Sequence, residues 1–247
     1  VSIVNESLGR LAILKGRVRA LSGIVHLHAR RAMPLEEVVG DLLDAKEQYI
    51  IQQSNCVTTY AAGLAAAIAE RFPHADVYNP AARQARGTEK TGDCPGSIAV
   101  CGGPCAEENL DKRGIINLFS QWAPGKPNKK QKGPVEYKGI TSDETVIDDE
   151  KQRLAWFKDC LEKVAELEGL ESVAFPYQIG CGLAGGDWTM YRQAIEEFAA
   201  ASEDRIKVRI YKMAEAWPCT DCKRSASASQ GKSWRKAWYC MTCYNKY

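Results

Sequence analysis

With 247 residues, 45% of them hydrophobic and 26% charged, the chain is long enough for one large globular domain plus a small appendage, and its composition excludes a disordered or fibrous protein. A formal net charge of +2 excludes a bulk electrostatic pull on nucleic acid, and no apolar run approaches the ~20 residues that a membrane-spanning helix needs, so no membrane partner is expected. Of the ten cysteines, four stand in two CxxC pairs and six are scattered. That usage fits thiols kept reduced inside the cell, in nucleus or cytoplasm, better than a disulfide framework.

Residues 1–32 read as an N-terminal extension. From Leu8 to Ala32 there is no acidic residue, while Arg10, Lys15, Arg17, Arg19, Arg30 and Arg31 are present. An acid-poor, Arg-rich leader is compatible with an organelle transit peptide, and its plainer reading is a segment that packs on the domain after it. Residues 35–43 mix apolar and acidic side chains and end in Gly40-Asp41-Leu42. A short β-prone run, 49–52, predicts a buried strand. Residues 61–72 are Ala-rich and predict a helix that Pro73 stops. Two further short strands are expected at 97–101 and 114–119. Between 148 and 167, Leu154, Phe157, Leu161, Val164 and Leu167 recur at spacings of three and four, which is one apolar helical face. A strand at 172–175 runs into a glycine-rich turn, a helix follows at 188–201, and 206–211 alternates apolar and basic residues like a strand. Strands alternating with helices predict an α/β sheet with helices on its faces. Two long loops interrupt the pattern, 79–96 and 123–145. The second carries Lys126, Lys129, Lys130, Lys132 and Lys138, and loops of that length are usually functional or mobile.

In open α/β sheets ligands bind beyond the carboxyl ends of strands. Two segments leave a strand and enter a helix through small residues, 54–64 and 176–188. The second holds four glycines in residues 180–186. Glycine lets the backbone approach a ligand and turn its N–H groups inward, and the helix start behind it adds positive potential, so the segment suits a phosphate or diphosphate.

Taken together, Gly40-Asp41-Leu42, the segment from Asn55 to Gly63-Leu64, Asn117-Leu118-Phe119-Ser120-Gln121, and Phe175-Pro176-Tyr177-Gln178-Ile179-Gly180-Cys181-Gly182-Leu183 followed by Trp188 resemble the macro domain family. The last run is similar to the branch with terminal ADP-ribose glycohydrolases and ADP-ribose-phosphate phosphatases. The resemblance implies a three-layer α/β/α domain with a central mixed sheet over 33–213, and ADP-ribose or an ADP-ribosylated macromolecule as ligand. It implies that Asp41 accepts from the adenine amine with the Leu42 N–H beside it, and that Asn55 bonds the distal ribose. Gly63 and Leu64 would line one phosphate loop, and Gly180, Cys181, Gly182 and Leu183 the other. Phe119 and Ser120 would border the distal ribose.

Glycohydrolases of that branch use a Lys and an Asp where this chain has Gln121 and Ala184, and the phosphatases use a His where it has Gln52. Asp187 is the catalytic candidate, and its ordinary role is that of N-cap for the helix behind it. Cys181 could serve as a nucleophile beside a helix start or only as a backbone position, and Lys126 could approach from the long loop or stay in solvent. The resemblance implies a protein that binds ADP-ribose and hydrolyses an ADP-ribosyl linkage or ADP-ribose 1″-phosphate; the alternative is a non-catalytic ADP-ribose reader directed to nucleic acid or protein by the C-terminal module.

The composition changes near residues 214–218, and a small module, 217–247, begins. Cys219 and Cys222 are followed after 17 residues by Cys240 and Cys243, a spacing that predicts a tetrahedral, structural Zn2+ site of zinc-ribbon type. So small a module has too little core to fold unaided, and metal binding would supply the folding energy. Lys223, Arg224, Lys232, Arg235 and Lys236 lie between the pairs with Trp234, Trp238 and Tyr239. Such a mixture suits nucleic acid or a protein surface, or the aromatics form the small core over the metal.

Overall fold

The computed structural model describes residues 35–85, 93–127, 136–137, 140–141, 146–202, 205–214, 216–218, 220–222, 225–227, 231–234 and 237–245. The expectations for 1–32, for Cys219, and for most of the lysine-rich loop fall outside those residues. In chain order the elements are β1 (Glu36–Val39), β2 (Tyr49–Asn55), α1 (Leu64–Arg71), α2 (Pro80–Ala85), β3 (Ile98–Cys101), β4 (Gly114–Gln121), β5 (Glu136–Tyr137), β6 (Ile140–Thr141), α3 (Glu150–Ala165), β7 (Ser172–Pro176), α4 (Trp188–Ala201) and β8 (Lys207–Lys212). The small module contributes β9 (Ala216–Pro218), β10 (Ser225–Ser227), β11 (Gly231–Trp234), β12 (Ala237–Cys240) and the short α5 (Met241–Tyr244). No helix among the described residues is long and apolar enough to cross a membrane.

Six strands form one mixed sheet in the order β1-β8-β7-β2-β4-β3. All neighbours are parallel except the edge strand β3, which runs antiparallel to β4. The central strands read as continuous apolar runs because both faces are covered. Alternation then sorts their side chains between two cores. Ile50, its register partner Ile115, and Ala174 pack on Leu42, Ile68 and Phe72 on the α1 side. Ile51, Ile116, Val173 and Phe175 pack on Phe157, Leu161 and Val164 of α3 and on Ile195 and Phe198 of α4. Phe157 is fully buried, and its replacement by Ala would cost roughly 3–5 kcal/mol. The expected three-layer α/β architecture with a mixed sheet is the one observed.

Local differences from the sequence reading have local causes. The first helix begins at Leu64 rather than residue 61, because Gly63 at φ 58°, ψ −130° holds the chain out of helical geometry until then. Part of the first long loop is helical. Pro80 opens α2, and Asn79 Oδ1 accepts from the Ala81 N–H at 3.0 Å, an N-cap and N1 proline pair visible in the sequence. The helix expected over 148–167 starts behind Asp149, whose side chain accepts from the Gln152 N–H. It buries Arg153, Trp156 and Cys160 besides its predicted apolar face.

The C-terminal module consists of two antiparallel hairpins, β9 with β10 and β11 with β12, and α5 follows β12 directly.

Candidate functional site

The carboxyl ends of the parallel strands point the same way, and the segments leaving them enclose one cavity of about 640 Å³. Its walls follow the strand order. Gly40, Asp41 and Leu42 come off β1, and Tyr211 and Lys212 end β8. Residues Tyr177 to Gly180 with Gly182, Leu183 and Ala184 leave β7. Asn55, Thr58, Gly63 and Leu64 follow β2, and Gln121, Pro124 and Gly125 follow β4. Four gaps of ~4.8 Å separate β1 from β4, so the cavity runs roughly 19 Å across the sheet.

At the β1 end, Asp41 caps the turn Leu42–Asp44 by accepting from the Leu43 N–H at 2.9 Å. Its carboxylate is exposed at the cavity wall, and Leu42 is buried beneath. Next to it, Lys212 Nζ lies 5.1 Å above the Tyr177 ring, which is edge-on to Trp188. Tyr211 is held by its hydroxyl to the buried Glu47, which also pairs with Arg209.

In the middle, two loops meet. Gly63 carries no side-chain cap for α1. The first N–H groups of that helix, at Leu64 and Ala65, therefore stay available at the cavity wall with the positive end of the helix dipole. A Cβ at Gly63 would touch Leu183 Cδ1 at 3.7 Å, so the two loops are in contact. Gly180 sits at φ 73°, and a Cβ there would land on Gln53 Oε1 and 2.6 Å from Tyr191 Cε1. The loop is thus pressed onto the Tyr191 ring, and only glycine permits it. Gly182, by contrast, faces open space. Cys181 hydrogen-bonds the Ile179 carbonyl, and burial, with Asp187 second, pushes its thiol up to about 11. At neutral pH it is a neutral donor, not a nucleophile.

At the β2 and β4 end, Asn55 Oδ1 accepts from the N–H groups of Val57 (3.1 Å) and Thr58 (2.8 Å). Its oxygen is engaged in the turn, and the amide nitrogen is the end left to address a ligand. The Asn55 N–H donates to the Tyr78 hydroxyl. A buried ion pair, Arg83 with Asp93 at 2.8 Å, braces the same strand end, because the guanidinium also donates to the Cys56 and Asn55 carbonyls. Gln53 Nε2 donates to Gln121 Oε1 at 2.7 Å, and Gln121 Nε2 to the Ala123 carbonyl. Gln53 and Gln121 thus form an amide pair across the ends of β2 and β4.

A second buried pair links the loops. Asp148 accepts from Arg153 Nε and Nη2 at 2.6 and 2.7 Å, and from the N–H groups of Trp122 and Ala123. The remaining donors of Arg153 reach the carbonyls of Ala123, Gly125 and Ala184. One guanidinium therefore ties the loop after β4 to the glycine loop after β7.

Asp41, Leu42, Asn55, Gly63, Leu64, Gly180, Gly182 and Leu183 all lie on the cavity wall. Phe119 and Ser120 do not: both are buried in the strand below Gln121, and Cys181 points beneath the loop. Asp187 stands at the N-cap of α4, accepting from the Thr189 N–H at 2.8 Å, and is not a lining residue. Gln52 is buried and donates to Asn117 Oδ1 at 2.6 Å. Sequence reasoning missed Gln53, Tyr78, Lys212 and both buried ion pairs. The signals available were a polar pair in an otherwise apolar strand, Gln52-Gln53, and Arg153 on the helical positions facing the core.

Of the four cysteines in the small module, Cys222 lies in a turn and Cys243 is buried within α5. Cys219 and the side chain of Cys240 lie outside the described residues. Among the described residues, no three His, Cys, Asp or Glu side chains gather as a metal site.

No family model matches this chain, and no curated protein does. Among solved structures it is similar to the macrodomain of Mycobacterium tuberculosis DarG, at 21% identity and TM-score 0.49, covering 72% of this chain and 97% of that one. It is similar to the macrodomain of Thermus aquaticus DarG at 22% identity and TM-score 0.49, covering 72% and 98%. It is also similar to a mutant Oceanobacillus iheyensis macrodomain with ADPR, at 18% identity and TM-score 0.47, covering 74% and 88%.

Proposed function

We propose that the chain is a macro domain that binds ADP-ribose. The observation that carries this reading is the order of groups along the cavity. An exposed carboxylate suited to an adenine amine stands over β1. Two loops, one opening the uncapped start of α1 and the other rich in glycine, meet over β7 and β2, where a diphosphate fits. An asparagine amide lies beyond them for a second sugar. The volume is that of a small-molecule site. Titration calorimetry of the full chain with ADP-ribose should give saturable binding, and ADP should bind more weakly. No saturable heat up to ~1 mM ADP-ribose, well past the range of a specific site, would refute the reading.

The resemblance points to hydrolysis of an ADP-ribosyl linkage, with Asp187 as the candidate acid. The cavity favours the reader. Among the described lining residues Asp41 is the only carboxylate, and it stands at the adenine end. Asp187 is engaged in capping. Incubation at high protein concentration with ADP-ribosylated protein, ADP-ribosylated DNA and ADP-ribose 1″-phosphate separates the two. Product from any of them, abolished by Asp187→Ala, supports the hydrolase.

Cys219, Cys222, Cys240 and Cys243 are proposed to hold one structural zinc that folds residues 217–247 as a separate module, 33–213 being the macro domain. The four-thiolate donor set suits the metal, and Cys243 is withdrawn from solvent as such a ligand would be. The module's basic and aromatic residues would direct the protein to nucleic acid or to a protein surface. Metal analysis should find one zinc per chain, lost in Cys243→Ser, and binding to DNA or RNA should weaken steeply with salt.

A further inference from the structure

At the amino ends of two neighbouring strands, Arg113 precedes β4 and Glu47 precedes β2. Arg113 is only 3% exposed, yet no carboxylate among the described residues pairs with it. Its Nη2 donates to the Glu47 carbonyl at 2.9 Å and its Nη1 to the Cys105 thiol. Nε is buried without a hydrogen-bond partner. The Glu47 carboxylate is committed elsewhere, to Arg209 and to the Tyr211 hydroxyl. A buried cation without its own counter-charge is costly. Cys105 itself is partly exposed, and its loop is pinned against the guanidinium. The Cys105 N–H donates to the Gln48 carbonyl at 2.9 Å, and the Gly103 N–H to the Lys112 carbonyl at 3.1 Å. Gly102, at φ 74°, lies so close that a Cβ there would overlap the Lys112 and Arg113 carbonyls.

We infer that Cys105 is an oxidation site for hydroperoxides, and that its sulfinate is the counter-charge the buried Arg113 lacks. The sulfur attacks one peroxide oxygen. An S–O bond forms, the O–O bond breaks, and the thiol proton leaves with the departing oxygen, as water when the oxidant is hydrogen peroxide. The product is a sulfenic acid. A second peroxide transfers a second oxygen in the same way and gives a sulfinic acid, which ionises at neutral pH. Its two oxygens accept where the thiol offered one weak acceptor, from Nη1 and from the unmade Nε donor. Oxidation here therefore stabilises the fold instead of disrupting it. Reactive thiols sit in such electropositive, partly exposed surroundings. Cys94 is the more exposed thiol, but its hydrogen bond goes to the Pro95 carbonyl and not to a cation.

The test treats the full chain with hydrogen peroxide at neutral pH and maps the peptides by mass. Cys105 should gain two oxygens at least about fivefold faster than Cys94. In Arg113→Gln, checked for folding by circular dichroism, that advantage should vanish. A second pair of variants needs no change at Arg113. Cys105→Asp places a carboxylate where the sulfinate would stand, and Cys105→Asn places the same shape without charge. The Asp variant should melt at least about 3 °C above the Asn variant, as a charged hydrogen bond to the guanidinium requires. Oxidation of Cys105 no faster than that of Cys94, or an advantage that survives in folded Arg113→Gln, would overturn the inference. So would an Asp variant melting no higher than the Asn variant, and this comparison decides the matter if Arg113→Gln does not fold. None of these outcomes bears on the ADP-ribose reading, since neither Cys105 nor Arg113 lines the cavity.

Discussion

Replacing Asp148 by Leu tests how the site is held together. Asp148 and Arg153 are each about 2% exposed, and the carboxylate receives two charged hydrogen bonds and two backbone ones. Leucine would leave a guanidinium buried with three carbonyls for company and no counter-charge. Removing one partner of a buried pair costs about 3–5 kcal/mol. At about 2–4 °C per kcal/mol for a chain of this size, the melting temperature should fall by about 6–20 °C. Thermal unfolding followed by circular dichroism reads the shift. The double variant Asp148→Leu with Arg153→Met should recover most of it, since a buried pair contributes little net stability over a packed apolar pair. The consequence for the site should be separable. At a temperature where both variants are folded, the double variant should still bind ADP-ribose more weakly, because the carbonyls of Gly125 and Ala184 lose their common donor. A melting shift below about 3 °C for Asp148→Leu would show that the pair does not bear on the fold as argued.

Three further outcomes follow from the cavity. Gly180→Ala should lower both stability and ADP-ribose affinity, the latter at least tenfold, because a Cβ there meets Tyr191 at 2.6 Å and the backbone is left-handed. Gly182→Ala, with open space around it, should leave the melting temperature within about 2 °C; equal losses in both would refute the distinction. Asp41→Ala should weaken ADP-ribose binding about tenfold, as expected for a charge-assisted hydrogen bond to the base, and affinity for ribose 5-phosphate should not follow. Cys181, with its thiol pushed up to about 11, should alkylate slowly with iodoacetamide at pH 7–8 and accelerate only above about pH 10, read by peptide mapping. Fast labelling at neutral pH would contradict the burial seen for it.

Much of the architecture was legible in the order of residues. The apolar runs of β2, β4 and β7 and the three-to-four spacing in α3 are local patterns, set by backbone geometry and by which faces are covered. The segment from Asn55 to Leu64 and the glycines after β7 are equally local, since a tight turn between strand and helix needs small residues at definite positions. What the sequence could not supply was the choice of polar partner. Arg153 donates to carbonyls 28 to 31 residues away on two different loops, Gln53 pairs with Gln121 across 68 residues, and Lys126 lies over Gly185. Phe119 and Ser120, expected to border a ribose, are buried in β4 and do not line the cavity, because the strand continues through Gln121. Asp187 satisfies a helix end rather than the cavity wall. A long polar side chain can reach any of several groups, and its partner is decided by which segments the sheet order brings together. The sequence by itself determined the layers and the glycine-rich loop after β7. The tertiary structure alone decided which charges are consumed in holding the loops and which remain at the rim.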